Sequence, residues 1–391
     1  MDREYTSFMR IRGRAPLTAA VYGVYSLAGA VYWSAVQMYA VDVGLGKTMA
    51  MAIYSLPWIV GVISVPAGRL ADIYGDRRRL GLASAVATGL SVAPVVASQE
   101  VPVVLLAGLL NTAAWSMLAP VLFEEAMATA GEEEGAGAMT MTGSAGWTAG
   151  TVMAGAVYAE WGLGGAAALS MLLQLLSLPL VSAGLDGERK ASFLDALSSI
   201  PLRPGGPIHL AALVLFESFF TAYLGSYELW CILLYEKLGD PRLYGVILGM
   251  AGAVSAAAAP LASWSGKKYG LASLLAASAA ALLGVNAVFA VAEDPVILAA
   301  AMLLPLWPFT NVLSYTYARR LWGGATASGI VNALWNVAGL LAPAIGVIGD
   351  NMGAAAALAA SSAVSLASLS GLHVYAKRYI EPGVESGGDH A

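Results

Sequence analysis

Two carboxylates, Glu217 and Glu228, stand inside one of the most apolar stretches of this chain. They are 11 residues apart, about three helical turns, so a helix brings both close to one face, with Thr221 and Leu224 between them. An ionisable group in an apolar phase is costly and marks a functional position by default. Burial favours the neutral form of a carboxyl. Such a group can therefore take a proton from one side of a barrier and release it to the other. Glu217 lies about 6 Å from the centre of its segment, and Glu228 about 10 Å away, toward the outer end. For each there is a plainer alternative: Glu217 held by a neighbouring hydroxyl as a packing element, Glu228 as a carboxyl at the outer vestibule.

Other chemistry is scarce. A single cysteine, Cys231, forbids an internal disulfide. His209, His373 and His390 have no ligand-like spacing, so no metal site and no cofactor are expected. No Ser/His or His/Glu set occurs in the apolar segments, and no GxxxxGK[ST] loop is present; neither enzyme chemistry nor ATP-driven pumping is expected. What recurs instead are aromatic and amide side chains at helical spacing: Tyr22, Tyr25, Ser26, Gly29, Tyr32, Trp33 and Gln37 in one segment, Asn111 and Trp115 in another, then Trp307, Asn311 and Tyr315, and Asn332, Trp335 and Asn336. Aromatic faces with a few amides make an apolar pocket with scattered hydrogen-bonding points. From these the candidate cavity residues are Tyr25, Trp33, Gln37, Asn111, Trp115, Trp307, Asn311, Asn332 and Asn336. Any one of them serves equally well as helix packing. Organic phosphates and carboxylates would want Arg or Lys in the pocket, and none lies well inside an apolar segment; cations and neutral amphipaths fit better.

The elements that must hold these residues follow from composition. The 391 residues are 58% hydrophobic and 12% charged, with a mean hydropathy of +0.71. Soluble domains carry about 25% charged residues, and a spanning helix takes about 20 apolar ones. The chain is read as an all-α integral membrane protein with twelve transmembrane helices at 16–40, 48–71, 80–98, 101–122, 136–159, 164–184, 208–235, 244–264, 271–292, 295–316, 325–349 and 353–375. The basic start of the chain resembles a signal peptide, but the apolar segment behind it has full span length and is expected to be retained as span 1. With the N-terminus cytoplasmic, 17 of the 20 Lys and Arg fall on the inner side, and Lys47, Lys237 and Arg242 on the outer. The positive-inside rule then puts both termini in the cytoplasm and requires an even number of spans. The net charge of −5 argues against a nucleic-acid partner.

Leu185–Pro207 is the longest hydrophilic stretch and divides the spans six and six. The expected units are an N-terminal six-helix bundle (1–184), a cytoplasmic linker (185–207) and a C-terminal six-helix bundle (208–391). A shift of 192 residues lays the second half on the first: Trp115 on Trp307, Tyr25 on Glu217, and Gly146, Gly150, Thr151 and Gly155 on Ala338, Ala342, Pro343 and Val347. Parallel six-helix halves are a transporter architecture.

Between spans 2 and 3 the chain reads Gly68-Arg-Leu-Ala-Asp72-Ile-Tyr-Gly75-Asp-Arg77-Arg-Arg-Leu80. This resembles the signature G-x-L-a-D-r-x-G-r-k-x-x-l of the major facilitator superfamily. Gly68, Leu70, Ala71, Asp72, Gly75, Arg77 and Leu80 match, while Ile73 and Asp76 replace basic residues. The resemblance implies two pseudo-symmetric bundles working by alternating access, a cavity lined by spans 1, 4, 7 and 10, and a gate in which Asp72 faces the N-terminus of span 11 near Gly324. It also implies that Glu124 pairs with a cytoplasmic Arg. The run Glu132–Glu134 reads as a solvated loop. In span 5, Gly146-x-x-x-Gly150-Thr151-x-x-Ala154-Gly155 is similar to the exporter pattern G-x-x-x-G-P-x-x-G-G; it reads equally as small-residue helix packing. The Arg that exporters often carry in span 4 is absent at 108–115.

The function expected from this is secondary active transport: proton-coupled efflux of a small amphipathic or cationic molecule, or alternatively proton-coupled or facilitated uptake of a neutral solute such as a sugar. The expected partners are the small-molecule substrate, protons and the lipid bilayer. A monomer in the plasma membrane is expected.

Overall fold

The computed structural model describes residues 14–198 and 209–380. The basic residues Arg3, Arg10, Arg12 and Arg203, with His390 and the end of the linker, lie outside them. Among the described residues the chain is helical, without strands. That is what lipid demands: hydrocarbon offers no partner to a backbone N–H or C=O, so each must be satisfied within its own segment. Eleven helical stretches are long and apolar enough to cross a membrane. One of them, Glu134–Gly184, has 51 residues. It would reach about 76 Å if straight, against a hydrocarbon core of about 30 Å. It turns back at Gly162 (φ 60°, ψ −162°) and so supplies two crossings, giving twelve.

The other spans run Ala15–Asp42, Lys47–Tyr74, Arg77–Ala97, Val101–Ala130, Leu210–Leu238, Pro241–Tyr269, Leu271–Val291, Pro295–Trp322, Ala325–Met352 and Ala354–Tyr379. We number all twelve in chain order, spans 5 and 6 being the two arms about Gly162. Five are interrupted. Span 3 is offset at Val92 before Pro94 and span 6 at Ser177 before Pro179. Span 2 tightens to a 3₁₀ segment over Leu56–Ile63 with Pro57 in its first turn, span 10 breaks before Leu306 at Pro305, and span 11 is offset before Pro343. In each case proline removes a donor and displaces the preceding carbonyl. Span 4 extends to Ala130, so Glu124 and Glu125 lie inside a helix. The acidic run does not form a loop: Glu132 opens the span 5 helix, where negative charge suits the positive helix end.

The turns repeat. All eight described glycines with positive φ sit between consecutive spans. They pair as Gly44 with Gly239, Gly75 with Gly270, Gly131 with Gly323, and Gly162 with Gly353, at separations of 191 to 195 residues. The same four junctions in each half thus need a left-handed residue that only glycine adopts cheaply. The separation is 195 at the first two junctions, which moves Tyr25 onto Phe220 rather than onto Glu217.

We call the face that carries Gly68–Leu80 the motif face. There the described part of the linker is tied down. The Arg14 guanidinium meets Asp186 at 2.7 Å and holds that carboxyl below its usual range. Asp186 O accepts from Arg78 N–H (2.7 Å), and Tyr74 O from Lys190 N–H (2.9 Å).

Gly44 and Gly75 separate two costs. A methyl group at Gly44 meets open space, so Gly44→Ala carries only the left-handed backbone penalty, about 1–2 kcal/mol. At Gly75 the methyl would also stand 2.7 Å from Glu188 O. Thermal unfolding in detergent is expected to rank Gly75→Ala clearly below Gly44→Ala. Equal midpoints would mean that the linker does not press on this turn.

Candidate functional site

A cavity of about 330 Å³ opens between the first six and the last six spans. Every span but the last contributes to its wall. Of the residues expected there, Tyr25, Trp33, Asn111, Trp115, Trp307, Asn311, Asn332 and Asn336 line it. Gln37 does not: it is buried one turn beyond, where its Oε1 accepts from Tyr244 O–H (3.1 Å). Spans 1, 4, 7 and 10 form much of the wall, but Tyr54 and Trp58 of span 2, Trp147 of span 5 and Trp335 of span 11 stand beside them.

The aromatics form two groups. Trp115 stacks against Tyr22 and Tyr25 with centroids 5.8 and 5.7 Å away. Across the cavity Trp335 stacks on Phe220 at 4.1 Å and meets Tyr223 and Trp307 at 5.3 and 5.5 Å. Tyr223, Tyr227 and Trp230 of span 7, spaced four and three residues apart, also line the wall. Sequence reasoning passed over them although they carry the same helical-stripe signal as span 1; the two carboxylates of that span drew the attention instead.

No Asp, Glu, Lys or Arg is among the lining residues. Neither Glu217 nor Glu228 reaches the wall. Glu217 is half-buried; its Oε1 accepts from Thr221 Oγ1–H (3.3 Å) and its Oε2 has no partner. Glu228 is 2% exposed, with both carboxyl oxygens unpartnered. It faces Ser55 of span 2, whose hydroxyl hydrogen is already given to Met51 O (2.7 Å).

The lining amides divide into satisfied and free. Asn111 Nδ2 donates to Thr88 O (3.2 Å) and Ser91 Oγ (3.0 Å), and Asn311 Nδ2 to Thr140 Oγ1 across the two halves (2.7 Å). By contrast, Asn332 Nδ2 and Trp335 Nε1 are buried donors without partners, one turn apart on span 11. On the opposite wall Gln174 Oε1 and Ser144 Oγ are buried and unpartnered. Unmet polar atoms in a closed interior are costly, and grouped at a cavity wall they mark where a guest would bond.

The two halves touch on both sides of the cavity. On the motif face Thr326 Oγ1–H donates to Asp72 Oδ2 (3.0 Å) in the first turn of span 11. Gly68 permits this approach: a methyl there would lie 2.6 Å from Ala325 O. Within the first half, Arg77 binds Glu125 at 2.9 Å beside these contacts. Arg319 binds Glu124 at 3.0 Å and Glu132 at 3.3 Å, and Lys267 pairs with Glu134. Phe123 stacks on Tyr315 at 3.9 Å between these contacts and the cavity. On the opposite face Thr48 meets Asp350, Tyr235 O–H donates to Asp42 (3.1 Å), and Lys47 lies 3.7 Å from Glu236.

The span 5 glycines divide their work. Gly146 and Gly150 lie against the backbone of span 1 at Gly23 and Leu27, within the first half. Gly155 instead faces Pro241 and Gly245 of span 8, across to the second half.

The family model of the Major Facilitator Superfamily matches residues 18–343. No curated protein sequence matches the chain. Among solved structures, that of the human organic anion transporter MFSD10 (TETRAN) superposes with a TM-score of 0.66 at 13% identity, covering 92% of this chain and 98% of that one. The structure of the nucleoside transporter NupG gives 0.62 at 14% identity, over 94% and 99%. At these identities the likeness is one of fold.

Arg319 serves two carboxylates, and its side chain is only 17% exposed. Arg319→Gln leaves Glu124 buried without its partner, whereas Glu124→Gln/Arg319→Gln removes both charges. In a double-mutant cycle read by thermal unfolding, the double variant is expected to recover about 1–3 kcal/mol relative to additivity. Strict additivity would make the pair a bystander.

Proposed function

The chain belongs to the Major Facilitator Superfamily, and from that premise we propose a secondary transporter that carries small, ring-bearing amphipathic molecules, uncharged or singly cationic, by alternating access. It is a multi-pass membrane protein. The proposal sets it in the plasma membrane as a monomer, with two six-helix bundles (1–184 and 208–391) joined by a linker (185–207), both termini cytoplasmic and the motif face inward. The excess of Lys and Arg on the motif face supports that orientation.

The observation that carries the reading is the cavity wall. It is aromatic on both sides, holds no charged residue, and presents unpartnered donors at Asn332 and Trp335 and an unpartnered acceptor at Gln174. A flat ring stacks on such faces, a cation gains from them, and a carbonyl or hydroxyl group meets the free donors. An anion would find no fixed positive charge to replace its water. The volume suits a small guest.

Proton coupling is assigned to span 7. Glu228 has the stronger claim, because it lies where span 7 meets Ser55 and Tyr54 of the other half. In this arrangement both its oxygens are buried without a hydrogen-bond partner, an environment costly for a carboxylate. Separation of the halves would expose Glu228 to water and let the proton leave. Glu217 has only Thr221 of its own helix as a partner and is the second candidate. The direction proposed is efflux in exchange for protons entering down an inward gradient; the alternative is uptake of a neutral solute together with a proton or by facilitated diffusion.

Reconstitution in liposomes with an inside-acid gradient and a lumenal pH dye tests this. Organic cations and neutral aromatic amphipaths are expected to trigger proton movement, and carboxylates to fail. Glu228→Gln should abolish the pH-driven signal while keeping substrate counterflow. Trp335→Phe, which removes one free donor, should raise the half-saturating concentration of a carbonyl-bearing substrate about tenfold, or ~1.4 kcal/mol. A proton signal from carboxylates alone would overturn the substrate class. Unchanged coupling in Glu228→Gln and in Glu217→Gln would make the protein a facilitator.

A further inference from the structure

Spans 2 and 11 run antiparallel and touch along their whole length. A methyl group at Gly329 would lie 2.5 Å from Ser64 O, one at Gly339 3.0 Å from Ser55 O, and one at Gly346 3.0 Å from Thr48 Cα. Ser64 Oγ–H is shared between Gly61 O of its own helix (2.7 Å) and Gly329 O of span 11 (2.9 Å). Near mid-length, where span 2 is a 3₁₀ segment, Gly61 receives the side chain of Asn336.

The two helices have the same ends. Each carries a threonine in its first turn and an aspartate 24 residues later: Thr48 and Asp72 in span 2, Thr326 and Asp350 in span 11. At about 36 Å, that spacing places the two residues at opposite ends of one crossing. Because the pair is antiparallel, each threonine meets the other helix's aspartate. Thr326 Oγ1–H donates to Asp72 Oδ2 at 3.0 Å on the motif face. Thr48 gives Asp350 Oδ2 both its hydroxyl (2.6 Å) and its backbone N–H (3.0 Å) on the opposite face. Asp350 thus caps the N-terminus of span 2, where unsatisfied N–H groups and the helix dipole favour negative charge, and Asp72 stands at the N-terminus of span 11, bonded through the Thr326 hydroxyl. The internal repeat does not produce this match, since the shift of about 192 residues relates span 2 to span 8 and span 5 to span 11.

We propose that Thr48 and Asp350 form the opposite-face gate, the counterpart of the signature's Asp72 contact with Thr326. The transporter would alternate by releasing one of these two latches while the other stays made, with the span 2–span 11 seam rocking about Gly61 and Asn336. These are gating residues: they touch neither the cavity wall nor each other's latch. The inference rests on the alternating-access reading above, and the test separates the two.

Cys231 is the single cysteine, so Cys231→Ala gives a background for paired spin labels. One pair, Met49→Cys with Met352→Cys, reports the opposite face at exposed positions of spans 2 and 11. A second pair, Arg79→Cys with Tyr269→Cys, reports the motif face. Distance distributions are measured by electron–electron resonance in lipid nanodiscs. Thr48→Val and Asp350→Asn are expected to raise the long-distance population of the first pair about three- to tenfold, the effect of losing one helix cap. The second pair should not lengthen, and Thr48→Ser, which keeps the hydroxyl, should restore the parent distribution. Thr326→Val should do the reverse. If the first pair is unmoved by Thr48→Val and Asp350→Asn while Thr326→Val opens the motif face, this gate is wrong and alternating access stands. If both pairs lengthen together, the contacts are general stabilisers and the gate is again overturned. If neither pair moves in any variant, the alternating-access reading fails with it.

Discussion

Hydrocarbon cannot hydrogen-bond, and the rest of this molecule follows from that. The backbone is forced into helices, so the chain can differ from a generic bundle only in what it places between helices and at their ends. Between them, glycine brings backbones close enough for contacts such as Gly68 against Ala325 and Gly245 against Thr151. At their ends, the left-handed glycines reverse the chain within a few residues, and the recurrence of the same four junctions in each half gives the two sets of spans a common plan. With no hydrophobic force to draw helices together in lipid, close packing and interhelical hydrogen bonds do that work.

The polar groups of the interior fall into two populations. One is glue. Trp230 Nε1–H donates to Asn286 Oδ1 (2.9 Å), Asn286 Nδ2 to Ser362 Oγ (2.9 Å), and Ser361 Oγ–H to Ala222 O (2.7 Å), tying spans 7, 9 and 12. The other is unmet and includes Asn332, Trp335, Gln174 and Ser144 at the cavity wall. Glu228 is the unmet group away from the wall: it is buried at the seam between the halves, with neither oxygen hydrogen-bonded. In the proposed reading the substrate surface and the titrating group are thereby separated: a guest would need no charge to bind, and the carboxyl would respond to opening of the seam.

How much of this was legible follows from how local each signal is. Span number and polarity were plain, because each rests on some 20 consecutive residues; the one long helix that hides two crossings betrays itself at a single glycine. The signature Gly68–Leu80 was legible because its parts lie within one turn region, and its contact on span 11 came through the family resemblance. The aromatic stripes of spans 1, 4, 10 and 11 pointed to the cavity, since a helix shows one face every three or four residues. Gln37 lay on the same stripe and still missed the wall, because the stripe outlasts the cavity. Glu217 and Glu228 could not be placed from sequence: which neighbour faces a carboxyl depends on how spans 2 and 7 cross. Gly155 could not be told from Gly146 and Gly150, although it faces the other half. The contact of Thr48 with Asp350 joins residues 302 apart and carries no local pattern of its own.

The strength of the end contacts is itself informative. A carboxylate capping a helix N-terminus contributes about 0.5–2 kcal/mol, and the pair on the opposite face is exposed to water, which weakens it further. Shifting a two-state equilibrium from 1:99 to 99:1 takes about 5.5 kcal/mol. A latch that strong on either face would leave one state too deep for a small guest to lift the protein out of it. With weak latches on both faces and a seam of glycines between them, the states stay close in energy. Under the proposed alternating access, the contacts of one ring with Trp115 and Trp335, or one proton on a seam carboxyl, would then be enough to choose between them. The interior can therefore be rigidly packed everywhere except at the seam, and the same weak contacts that make each closed end possible also make it reversible.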